Sequence, residues 1–159
     1  MEPDESVNVL DGPLALCGSD PVTGFFRDGH CNTCDADHGS HTVCAVMTAE
    51  FLAYSKYVGN DLSTPRPEFN FAGLTPGDPW CLCAGRFLQA ADEGCAPKVH
   101  LAATHKRALE IVPLDVLKEH AVEGGQPENY RQPTRRLLKS CIGKMKREVP
   151  RLLSNTLKI

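Results

Sequence analysis

Glycines and prolines punctuate this chain so often that few of its regular elements can run long. There are 13 glycines and 12 prolines among 159 residues. The stretch from Asp11 to Ser40, DGPLALCGSDPVTGFFRDGHCNTCDADHGS, consists largely of residues that favour turns. Patterned runs appear only between such stretches. Thr42 to Met47 alternates as a strand does, and Thr48 is placed to cap a helix carrying Phe51, Leu52, Tyr54 and Val58 and ending at Gly59. Trp80 to Cys83, WCLC, reads as a second strand, and AGRFLQAADEG as a helix stopped by Gly94. Lys98 to Ala103 and Leu109 to Val112 are third and fourth strand candidates, and Leu114 to Val122 a short helix. The segment from Gly59 to Pro79 reads as an ordered irregular loop, the kind of element that carries binding residues. Short strands separated by long loops imply an α+β fold: a small mixed or antiparallel sheet with two or three packed helices, plus a C-terminal amphipathic helix.

That last helix follows from charge and periodicity together. From Met1 to Tyr130 the chain has 8 Lys/Arg against 19 Asp/Glu, and from Arg131 to Ile159 it has 9 against 1, so a −11 body is joined to a +8 tail. The Gly/Pro/Gln-rich stretch between them marks a boundary. We expect one domain over 8–122, a linker over 123–133 and a basic extension over 134–159. Leu137, Leu138, Cys141, Ile142, Met145 and Val149 share a helical face. Such a helix needs a surface for its stripe, so docking on the domain or on a second subunit of a homo-oligomer is favoured over binding to nucleic acid or an anionic membrane.

An apolar fraction of 42% and a charged fraction of 23% are those of an ordinary globular protein. The acidic opening MEPDESVNVL lacks the features of a secretory signal, and no stretch approaches the ~20 apolar residues of a membrane span. A cytoplasmic location is therefore expected, and with it eight cysteines held as thiols rather than as a disulfide framework.

Several of those cysteines are candidates for chemistry. HCNTCDADHGSHTVC offers Cys31, Cys34, His38, His41 and Cys44 as zinc ligands, although the spacing matches no standard finger and also suits a turn-rich loop whose polar side chains satisfy its own backbone. Cys81 and Cys83 leave one face of a strand; if the Cys44 strand lies beside it, Cys44 joins them, and Cys17 or Cys31 completes a thiol-rich set. Core packing is the competing account of these thiols. For catalysis, Cys31 or Cys44 is the candidate nucleophile and His41 its base. Arg27 and Asp28, Asn60, Asp61 and Arg66, and the lone Trp80 lie in loops or at edges suited to an anionic or polar ligand. No GxGxxG, P-loop or HExxH pattern supports a nucleotide or zincin reading.

The runs NVLDGPL, GFFRDGHCNT, HTVCAVMTAEFL, GNDLSTPRPEF, GLTPGDPWCLCAGRF and ATHKRALEIVPLDVLKEHA, spread from Asn8 to about Val122, resemble an uncharacterised family, domain of unknown function 2237. The resemblance implies a small α+β domain and brings no activity with it. It implies recurring positions at Cys17, Arg27, Asp28, Cys31, His41, Cys44, Asn60, Asp61, Trp80, Cys81 and Cys83. Cys34 and His38 fall outside that pattern, which shifts the expected metal set to Cys31, His41, Cys44, Cys81 and Cys83. The functions in view are a ligand- or zinc-binding domain, a thiol-dependent enzyme with an anionic substrate, and an interaction module without chemistry.

Overall fold

The computed structural model describes residues 1–122 together with Cys141 and Met145. Its sheet is built on β1 (Val43–Val46), the central strand, with β2 (Pro79–Leu82) on one side and β3 (Lys98–Val99) on the other, both antiparallel to it. Within residues 1–122 three α-helices accompany it: α1 (Ala49–Tyr57), α2 (Ala84–Asp92) and α3 (Leu114–Glu119). The fold is thus α+β with an antiparallel sheet, as the sequence leads one to expect.

Local chemistry explains the boundaries. The Thr48 hydroxyl accepts the Phe51 N–H at 3.1 Å and starts α1, while Gly59, at φ +93°, supplies the left-handed turn that ends it. Gly94 does the same after α2 at φ +73°. The third strand is shorter than its apolar run: after Val99 the chain tightens into a 3₁₀ turn over Leu101–Ala103. The expected fourth strand is absent. Lys106–Glu110 is a 3₁₀ helix, because the buried His105 accepts the Arg107 N–H through Nδ1 and turns the chain before it can extend.

Period-two alternation gives the sheet two unlike faces. Val43, Ala45, Leu82 and Val99 join Phe51, Leu74, Phe87, Val112 and Leu117 in the main apolar core. Cys44 and Cys81, directly opposed across β1 and β2, point the other way into a small second cluster with Cys31, Ala103 and Cys17.

The cysteine expectation needs correction. Six of the eight are paired, as Cys17–Cys44, Cys31–Cys81 and Cys95–Cys141; Cys34 and Cys83 are free. The expectation of thiols rested on a presumed compartment, whereas strand register and loop closure put sulfurs within bonding distance. The linker over 123–133 and the extension over 134–159 lie outside the described residues except at Cys141 and Met145. Both are helical; Cys141 is buried in its bond to Cys95, and Met145 packs against the main core. No described helix is long and apolar enough to cross a membrane.

Candidate active site

Where the second face of the sheet ends, β2 runs directly into α2, and Cys83 is the junction. It occupies the N-cap of α2 without capping the helix through its side chain. The first-turn amides of an α-helix have no intrahelical acceptor, so a group here sits at the positive end of the helix dipole. The loop before β1 brings His41 to the same place. Ser40, in the left-handed region at φ +47°, accepts the Ala84 N–H at 2.9 Å and so pins that loop to the start of α2. Gly39 allows the close approach: a Cβ there would lie 2.7 Å from His41 Cε1 and 3.3 Å from Cys83 Sγ.

Behind His41 stands Asp37. Its Oδ1 lies 2.6 Å from His41 Nδ1, and its Oδ2 accepts the His41 N–H at 2.9 Å and the Thr33 hydroxyl at 3.0 Å. The Asp37 side chain is fully buried, while that of His41 is 38% exposed, so the pair reaches from the interior to the surface. His41 is pushed up to about 9, first by its hydrogen bond with Cys83 and then, against the cost of burial, by its bond to Asp37. The Asp37 carboxylate and the His41 imidazole are thus hydrogen-bonded and the free Cys83 thiol lies beside them, the three group types that thiol catalysis combines.

A cavity of about 220 Å³ opens beside them. It is lined by His41 and Cys83, by Phe25, Arg27, Asn60 and Trp80, and by Cys81 at the edge of the sulfur cluster. Phe25 stacks on His41 with ring centroids 6.5 Å apart. The Arg27 guanidinium sits 5.5 Å above the Trp80 ring, on backbone held at φ +56°. A bulky residue in the left-handed region is uncommon, and such strain recurs where side chains are aimed at a site.

The sequence candidates thus divide. Arg27, Asn60 and Trp80 share the cavity with His41 and Cys83. Asp28 instead accepts the His30 N–H and the Asn32 amide, and Asp61, held down to about 2 mainly by the Thr64 hydroxyl, organises its own turn. Arg66 faces Glu68 at 3.7 Å on the surface. Of the five expected metal ligands, Cys31, Cys44 and Cys81 lie in the disulfide cluster, whereas His41 and the free Cys83 are neighbours at the cavity. Cys31 and Cys44 carry no thiol in this structure, and the free cysteine that shares the cavity with His41 is Cys83. Cys34 is buried and His38 exposed, and neither lines the cavity. Sequence reasoning missed Asp37 and the special position of Cys83. An Asp four residues before a His within a tight loop was one available signal, and a Cys opening a helix directly after a strand was the other.

These features define the class of protein: a small α+β domain with a cysteine–histidine–aspartate site at a strand-to-helix junction. The chain belongs to the family described as an uncharacterized protein conserved in bacteria (DUF2237), which matches residues 7–121. No curated protein matches it.

Proposed function

We propose that this protein is a cysteine-nucleophile enzyme that cleaves or transfers an acyl group on a small, negatively charged substrate. The observation that carries the reading is the buried Asp37 hydrogen-bonded to His41, with the free Cys83 beside that ring at the wall of the same cavity. Asp37 fixes the imidazole through Nδ1, leaving Nε2 as the nitrogen that exchanges a proton with thiol and substrate. The reactive form of a cysteine nucleophile is the thiolate, and here the His41 imidazolium and the N-terminus of α2 are its positive neighbours.

In this scheme the Cys83 thiolate attacks the substrate carbonyl carbon. The C–S bond forms as the bond to the leaving group breaks, and the leaving group takes the proton from His41. Neutral His41 then removes a proton from water or an acceptor alcohol or amine. The resulting attack releases the acid, ester or amide and restores the thiolate–imidazolium pair. Arg27, backed by Trp80, supplies the cation for a carboxylate or similar group, and Asn60 supplies an amide for polar contact.

Iodoacetate and iodoacetamide labelling at pH 7, followed by peptide mapping, tests the site. Cys83 should be labelled and buried Cys34 should not, and the ratio of iodoacetate to iodoacetamide rates should exceed that of a free thiol and fall in Arg27→Ala. With p-nitrophenyl hemisuccinate a burst of nitrophenol is expected, and Cys83→Ser should abolish it. The reading fails if Cys83 reacts no faster than an exposed model thiol, or if His41→Gln leaves its rate unchanged.

A further inference from the structure

The disulfide cluster contains more than two bonds that happen to be near each other. Cys44 and Cys81 are opposed cross-strand partners. Cys17 and Cys31 flank a loop whose mouth is closed by Cys17 N–H and Gly18 N–H, both donating to the Gly29 carbonyl at 2.8 and 3.1 Å. The sulfurs of Cys17, Cys31 and Cys81 all lie within 4.8 Å of one another; Cys31 and Cys81 are bonded to each other, and Cys44 is the bonded partner of Cys17. Four sulfurs thus meet in one place from four separate stretches of chain.

We propose that when both bonds are reduced the protein binds one zinc ion through the thiolates of Cys17, Cys31, Cys44 and Cys81. This inference is independent of the enzymatic reading. Zn–S bonds of about 2.3 Å in a tetrahedron place sulfurs about 3.8 Å apart, so each reduced pair opens by roughly 1.7 Å from its bonded separation, while Cys17 already lies within 4.8 Å of both Cys31 and Cys81. Thiolate is the only chemistry in the group, which suits zinc and disfavours hard cations such as magnesium or calcium. Cys31 and Cys44 are fully buried and Cys81 is 2% exposed, as in a closed structural site with no position left for substrate.

Anchors other than sulfur hold the strand ligands in place. The Cys44 N–H donates to Thr104 Oγ1 at 3.1 Å and the Cys81 N–H to Thr23 Oγ1 at 2.8 Å, and both threonines are fully buried. The scaffold therefore keeps its shape without either S–S bond. Formation from the oxidised protein consumes two molecules of a dithiol reductant. Each reduces one protein disulfide to two thiols and becomes a cyclic disulfide, and zinc then displaces the four thiol protons. Oxidation by a disulfide reverses the sequence and releases the metal.

The full-length protein, purified without a metal-affinity tag, is reduced anaerobically with dithiothreitol, desalted and titrated with zinc or cobalt(II). About one equivalent of tightly held metal is expected, with the sulfur-to-cobalt charge-transfer and d–d bands of a tetrahedral thiolate site. Cys17→Ser and Cys44→Ser should bring occupancy below about 0.2 equivalents, while Cys34→Ser and Cys83→Ser should retain it. Zinc should also shield Cys17, Cys31, Cys44 and Cys81, and not Cys83, from N-ethylmaleimide in the unmutated protein, a readout that needs no variant to fold. The proposal is overturned if the fully reduced protein holds less than about 0.2 equivalents, or if metal protects Cys83 and is lost in His41→Gln.

Discussion

Two groups of sulfur lie close together in this molecule and have opposite characters. In the cluster of Cys17, Cys31, Cys44 and Cys81 every thiol is spent on a partner and three of the four residues are almost wholly buried. At Cys83, two residues beyond Cys81, the sulfur is free, half-buried and faces an imidazole held by a carboxylate. The residue type is the same, so the difference comes from the backbone. A strand delivers its side chains to a face already occupied by other elements, whereas the strand-to-helix junction delivers Cys83 to a cavity wall, at the N-terminus of α2. Substitutions that affect one group and spare the other test that distinction.

The largest effect is expected at Asp37. Asp37→Asn keeps the size of the side chain but removes the charge that orients and stabilises the His41 imidazolium. Turnover of p-nitrophenyl hemisuccinate should fall by about 10² to 10⁴-fold, the range seen when the orienting carboxylate of such a site is neutralised. Far-UV circular dichroism should remain that of the folded protein, and the three disulfides should still form. An undiminished rate would mean that Asp37 only braces its loop.

Next in size is removal of one bond from the cluster. Cys17→Ser combined with Cys44→Ser leaves no stray thiol and should cost about 2–4 kcal/mol in urea unfolding of the oxidised protein, the usual worth of a disulfide. Labelling of Cys83 in the folded fraction should persist. If labelling is lost along with stability, the two groups are coupled and the contrast between support and chemistry breaks down.

How visible this arrangement is in the sequence differs between its parts. β1, α1 and α2 carry alternation, a capping Thr48 and terminal glycines, so local physics alone marks them. The run from Leu109 to Val112 has strand composition but becomes part of a helical turn and its exit, because His105, buried by contacts distant in sequence, redirects the chain. The side-by-side strands of Cys44 and Cys81 follow from pairing two short apolar runs, yet their bonds to Cys17 and Cys31 depend on the path of a long loop that no periodicity encodes. His41 stands out as a reactive residue type. Its true partner does not, since bringing the loop of residues 37–41 to the start of α2 depends on a left-handed Ser40 and its hydrogen bond to Ala84.

A smaller effect is expected from Gly39, which tests the approach of His41 to Cys83 without removing either. In Gly39→Ala the new methyl would meet His41 Cε1 at 2.7 Å, so the ring must give way. Its displacement should lower the iodoacetate labelling rate by about tenfold, since small misplacements of reacting groups are costly. Stability should change by less than about 1 kcal/mol, because the half-exposed ring has room to turn outward. A variant that labels as fast as the parent would show that the thiol reacts without its histidine.

The smallest effect separates two histidines by the sign of their pH dependence. His41 is raised to about 9, chiefly by Cys83, so its contribution to stability is fully present below its unfolded value of roughly 6.5 and is lost as pH rises from there through about 9. His105 is lowered by burial and is held neutral between the Glu5 carbonyl and the Arg107 N–H, so its contribution is present above roughly 6.5 and is lost on acidification. Solvent screens the exposed part of His41, which limits its share to under about 1 kcal/mol and the shift in melting temperature to less than about 4 °C. Melting curves from pH 5 to 10 should therefore show the gap between the parent and His41→Gln closing as pH climbs from 6.5 to 9, and the gap between the parent and His105→Gln closing in the acid direction. Turnover should also fall as pH passes about 9, because neutral His41 no longer has the proton that the leaving group needs. A gap for His41→Gln that widens toward pH 9 would place a neutral imidazole beside Cys83 and reverse the proton assignment on which the proposed chemistry rests.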